Sequence, residues 1–188
     1  MGLTVVYAKE TWHVLGAVQS TGGASGVPEA GPLVGARLEL RGIRALPGPA
    51  ESRAAPIAVS VDQLAAAAVD AASDLDGFPA VLTTPFAFGV TVVNEQPKSA
   101  LVPLNDGWGP SPVAATTRRI TVTLPQPVAE GSPALVLVAV GAGPPRSLPA
   151  LVAGPQLTID TNLSAGVYPV LTLVRGVAAR IDAVQVSA

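Results

Sequence analysis

The hexapeptide Arg119-Ile120-Thr121-Val122-Thr123-Leu124 decides the fold class. Ile120, Val122 and Leu124 alternate with polar residues. That period of two places them on one face of a strand. Downstream, Ile181, Ala183-Val184 and Val186 alternate in the same way. Ala134 to Val140 is continuously apolar, the pattern of a strand buried on both faces. Nineteen Gly and nineteen Pro, spread along the whole chain, cut it into short pieces rich in Val, Leu, Ile and Thr. Proline is costly inside helices and central strands alike, so the even spread leaves room for short strands joined by turns. Strands are predicted at 3–8, 11–18, 33–40, 56–61, 80–84, 87–94, 99–104, 118–124, 134–140, 156–160, 167–174 and 179–187. The pattern predicts an all-β protein of sandwich type.

One segment departs from this pattern. Ser60-Val61-Asp62-Gln63 reads as a capping box, and Leu64 to Ala72 is rich in alanine, the strongest helix former. Asp76-Gly77 supplies a stop. One short helix is therefore predicted near 61–74. Ser20 to Gly31, Arg41 to Ala55 and Pro103 to Pro112 read as loops. The last of these is the expected boundary between a β-rich domain at 1–112 and a sandwich at 113–188. The competing layout is a single sandwich of all 188 residues.

Composition narrows the function classes. Charged residues make up 13% of the chain and apolar residues 49%, against roughly 25% charged in an ordinary soluble domain. No run approaches the ~20 apolar residues of a transmembrane helix. The longest candidate, Ala134 to Ala142, breaks at Gly-Ala-Gly-Pro-Pro, so no transmembrane segment is expected. Two Trp, two Tyr and three Phe are too few for the paired aromatic girdles of a membrane barrel. The start, Met1-Gly-Leu-Thr-Val-Val-Tyr-Ala-Lys-Glu10, lacks the basic and apolar regions of a secretory signal. Synthesis in the cytoplasm, with incorporation into a particle, is expected. The absence of Cys excludes disulfides and Cys-ligated metals. Net charge is −2, and of the basic residues only Arg118 and Arg119 adjoin. Nucleic-acid binding needs a clustered basic footprint, so no nucleic-acid partner is expected.

Leu163-Ser-Ala-Gly-Val-Tyr-Pro-Val170 leads into Leu171-Thr-Leu-Val-Arg-Gly-Val177 and then Ile181-Asp-Ala-Val-Gln-Val186. Upstream stands Ile120-Thr-Val-Thr-Leu-Pro125. Together these resemble the middle strand and closing hairpin of bacterial immunoglobulin-like modules of the TIG type, over residues 116–188. Ala178-Ala-Arg180 stands where that family usually has Ser-Asn. The resemblance implies an immunoglobulin-like β-sandwich of a kind found in surface proteins, carbohydrate-active proteins and phage-tail-like contractile injection particles. It carries over no functional residue.

The residues that could carry chemistry are few. His13 is the single histidine. It has no Gly-x-Ser-x-Gly elbow to serve and no further soft ligands with which to hold zinc. It reads as a strand residue beside Trp12. Asp74, Asp76 and Gly77 fit positions 3, 5 and 6 of an EF-hand loop. Ala72 and Thr83 fall where the first and twelfth ligands belong, so those acids, with Asp70, read as a polar helix end. Gly22-Gly-Ala-Ser-Gly26 lacks the Lys-Ser/Thr of a phosphate loop, and Gly141-Ala-Gly143 runs into prolines as a turn. No catalytic residue, metal site or cofactor is expected. Trp12, Trp108, Tyr7 and Tyr168 are the residues able to stack. Trp108, in Asp106-Gly-Trp-Gly109, reads either as a partner-contact anchor or as a lid over the core. These observations predict a non-enzymatic structural or adaptor subunit of a larger bacterial or phage-like assembly. Its contacts would be to other protein subunits, as a homo- or hetero-oligomer, through Trp108 and Trp12. The alternative is a β-sandwich module binding a glycan or cell-wall polymer.

Overall fold

The computed structural model describes residues 2–20, 28–40, 56–69, 78–92, 98–141 and 143–187. They are mostly β, with two short helices. The strands in chain order are β1 (Gly2–Ala8), β2 (Val14–Ser20), β3 (Arg37–Leu40), β4 (Ile57–Ser60), β5 (Leu64–Val69), β6 (Phe88–Val92) and β7 (Lys98–Pro103). They continue as β8 (Val113–Thr116), β9 (Arg119–Thr123), β10 (Pro133–Val138), β11 (Arg146–Leu151), β12 (Gln156–Asp160), β13 (Gly166–Val174) and β14 (Val177–Ser187). The helices are α1 (Ala30–Val34) and α2 (Phe78–Thr83). Two compact units form, one from Met1–Leu38 and Val59–Asn105, the other from Glu39–Ala58 and Asp106–Ala188. β3 and β4 pair as a separate two-stranded ribbon.

The first unit is a five-stranded sheet in the order β2-β1-β5-β7-β6. All pairings are antiparallel except β5–β7. The sheet curls until its edge strands meet. His13 forms a bridge to Gly89, and the Val90 N–H donates to the Trp12 carbonyl at 2.8 Å. Leu3, Val5, Val14, Val69, Phe88, Val90 and Leu101 fill the interior, with Val81 of α2 fully buried among them. Alternation along β1 sends Leu3 and Val5 inward, as the period of a strand requires.

The expected helix over 61–74 is not formed over its described part. Val61–Gln63 makes a single 3-10 turn, and Leu64-Ala-Ala-Ala-Ala-Val69 is β5. Residues 70–74 lie outside the described residues. The physical reason is tertiary. β5 pairs with β1 along its whole length, from Leu3↔Val69 to Ala8↔Leu64, and buries Leu64, Ala67 and Val69. A shared edge of that length outweighs alanine's helix preference, worth only a few tenths of a kcal/mol per residue over its neighbours. The reverse happens at 80–84, expected as a strand. Residues 80–83 of it belong to α2, which has Pro79 in its first turn, where a missing N–H leaves no bond unmade. The hydroxyls of Thr83 and Thr84 both donate to the Ala80 carbonyl at the helix end. Part of the predicted strand 33–40 is likewise helical, as α1.

The second unit holds one seven-stranded sheet in the order β11-β10-β13-β14-β8-β9-β12. Laid flat, six interstrand steps of ~4.8 Å would put the edge strands ~29 Å apart. Yet β11 and β12 are joined by Val152–Pro155 alone, and five residue steps reach at most about 18 Å. The sheet must therefore roll over on itself. Ile120, Val122, Leu157 and Ile159 from one half meet Val136, Val138, Val170 and Val174 from the other in a single core. The Arg146 guanidinium donates to the Asn162 carbonyl, tying one edge to the other. β10 is buried from Ala134 to Val138, as its continuous apolar run predicts. Gly176, at φ +88, takes the left-handed position in the Arg175-Gly176 turn between β13 and β14.

Candidate functional site

The hairpin between β1 and β2 positions Trp12. The Ala8 N–H donates to the His13 carbonyl at 2.9 Å, and the Trp12 N–H donates back to the Ala8 carbonyl at 2.8 Å. Closing the loop this way forces Trp12 to φ +64, the only positive φ outside glycine among the described residues. A left-handed conformation costs a residue with a Cβ roughly 1–2 kcal/mol. The geometry is held from three sides. The Trp12 carbonyl accepts from Val90. The Lys9 N–H donates to the Gln63 carbonyl, and the Lys9 ammonium donates to the Asp62 carbonyl at 2.9 Å. β6 approaches so closely that a Cβ on Gly89 would lie 3.2 Å from Leu104 Cδ2 and 3.5 Å from the Trp12 carbonyl oxygen. The Trp12 side chain is 39% exposed. Beneath it His13 is fully buried, and Thr11 is buried with its hydroxyl lacking a hydrogen-bond partner among the described residues.

Trp108 is placed differently. It lies partly buried on the core of the second unit, and its indole N–H donates to the Ala178 carbonyl at 2.8 Å. That is the geometry of a lid. Two residues along β14, Arg180 clamps the same loop, its guanidinium donating to the Gly109 and Pro110 carbonyls at 2.9 and 3.3 Å. Asp182 holds Arg180 in place through contacts of 2.9 Å to both carboxylate oxygens, with side-chain exposures of only 11% and 16%. β13 covers one side of β14 over nearly its whole length, whereas β8 pairs with it only at Val186 and Ser187. The loop from Gly107 to Pro110 covers part of what would otherwise be a bare edge, a known liability of sheets. Ala178-Ala-Arg180 is thus the segment of β14 that receives the Trp108 loop.

Tyr168 stands at the start of β13 and donates its hydroxyl to the Ser164 carbonyl, four residues upstream, at 3.1 Å. Its ring lies over Gly166, where a Cβ would touch it at 3.6 Å. Tyr7 packs against the first core. Asp70, Asp74, Asp76 and Gly77, and the Gly22–Gly26 loop, lie outside the described residues. Among those described, no group of three His, Asp or Glu residues is disposed to hold a metal ion. Among the same residues, no helix is long and apolar enough to cross a membrane. The Arg180–Asp182 clamp escaped the sequence reading. Its signal was present, since residues two apart on a strand share a face and Arg-Ile-Asp puts opposite charges there.

The chain matches no protein-family model, no curated protein and no solved structure.

Proposed function

We propose that this chain is a non-enzymatic structural or adaptor subunit of a larger bacterial or phage-like assembly, working through protein–protein contacts. One observation carries the reading: Trp12 is exposed, backbone-strained and rigidly pinned. Glycine would occupy that φ without strain, so the backbone of the turn does not by itself select a tryptophan. Covering the exposed part of the ring, roughly 100 Å2, is worth about 2 kcal/mol, enough to offset the strain. A rigid aromatic on a fixed turn is what an interface anchor requires.

For residues 116–188 we propose an immunoglobulin-like module of the TIG type. The supports are the antiparallel chain β11-β10-β13-β14, the pairing of β9 with both β8 and β12, and β8 lying parallel to β14. The Tyr168–Ser164 bond supports it further, as the counterpart of the tyrosine corner of such sandwiches.

The test is sedimentation of the purified chain across a wide concentration range, alone and with candidate subunits encoded beside it. Association that is lost in Trp12→Gly, with the fold retained, is the expected result. A wild-type chain that stays monomeric at high concentration and joins no neighbouring subunit overturns the reading.

A further inference from the structure

In the second unit, β8, β9 and β12 turn their outer face to a shallow groove of about 800 Å3. Its floor is small. Ala114 pairs with Thr121, and both line the groove with short side chains. Its rim carries Arg118, Arg119, Asp160, Thr161 and Ser187. Arg118 and Arg119 are the sequence's one adjacent pair of cations, in a chain of net charge −2. Arg119 faces Asp160 across the β9–β12 ladder at 3.5 Å, with side-chain exposures of 61% for Arg119 and 86% for Asp160. A pair so exposed is weak and exchangeable. No carboxylate among the described residues pairs with Arg118.

We propose that this groove binds an extended acidic segment of a partner protein, its carboxylates on Arg118 and Arg119. The planar guanidinium fork suits a carboxylate in bidentate geometry. The small floor lets a peptide backbone lie close to the hydroxyls of Thr121, Thr161 and Ser187, which line the groove. A compact phosphate would leave the floor uncovered and meet Asp160 at the rim. The inference stands apart from the Trp12 contact, because the groove lies wholly within the second unit.

Fluorescence anisotropy of labelled hexaglutamate, at low and at ~0.5 M salt, tests it. Hexaglutamine, inorganic phosphate and a short single-stranded oligonucleotide serve as competitors. Saturable binding, weakened about tenfold or more in Arg118→Ala/Arg119→Ala and by the salt, is expected. Asp160→Asn, which frees Arg119, is expected to tighten it about threefold. Trp12→Gly leaves it unchanged. The side chains altered in the groove are exposed, and cooperative thermal unfolding confirms that each variant is folded. No binding at millimolar peptide, equal binding of hexaglutamine, or indifference to the double substitution overturns the proposal. So does stronger competition by phosphate or the oligonucleotide than by unlabelled hexaglutamate.

Discussion

Trp108 donates its indole N–H to the carbonyl of Ala178, seventy positions along the chain, at 2.8 Å. The bond fixes a loop that reads as a linker onto the closing strand of the second unit. It also satisfies a carbonyl that β8, paired only at the far end of β14, does not reach. Trp108→Phe keeps the ring's apolar contact and removes the donor. It is expected to lower stability by about 1–2 kcal/mol, since the Ala178 oxygen is left unpaired. Trp108→Ala also opens the core beneath and is expected to cost about 3 kcal/mol. Denaturant midpoints followed by far-UV circular dichroism check both. Equal midpoints for wild type and Trp108→Ala would refute the lid.

Arg180→Ala leaves the Asp182 carboxylate largely buried without its counter-charge, and frees the Gly109 and Pro110 carbonyls. A loss of about 3 kcal/mol is expected. Arg180→Ala/Asp182→Ala should cost less than the two single changes together, because the double change leaves no lone charge behind. A double-mutant cycle with no coupling would show that the clamp contributes nothing.

Trp12→Gly should be about 1 kcal/mol more stable than Trp12→Ala, because glycine accepts a φ of +64 without strain and alanine does not. Both lose the buried part of the indole, so both should fall below wild type. Thermal unfolding of the pair separates backbone from side-chain effects. A lower melting temperature in Trp12→Gly than in Trp12→Ala would rule out stored strain.

Tyr168→Phe deletes one hydroxyl and one bond, to the Ser164 carbonyl. The expected loss is about 1 kcal/mol, with little change in the slope of denaturant unfolding. A variant as stable as wild type would mark the corner as incidental.

The strands of the second unit were legible where side-chain alternation alone determined them. β9, β12 and the end of β14 carry their inward faces in plain view, and β10 announces itself by being apolar throughout. β11 was hidden by Pro149, which a central strand excludes but an edge strand accepts. β8 has only Val113 to Thr116 to show. In the first unit the alanines of β5 pointed to a helix, because local preference cannot register a partner strand some sixty residues away. The two tryptophans were visible as candidates. Their different environments were not, since what distinguishes them is a backbone angle at one and a distant carbonyl at the other.

The place of β14 in the second sheet bears on how this unit comes to exist. Without that strand the sheet falls into two three-stranded halves, β11-β10-β13 and β8-β9-β12. A ribosome delivers both halves before the strand that stitches them. Until Val177 to Ser187 emerges, β13 and β8 each present a bare margin able to recruit a neighbouring nascent chain. Completion of the unit therefore waits for the last of its seven strands, and crowded polysomes are where its misassembly would begin.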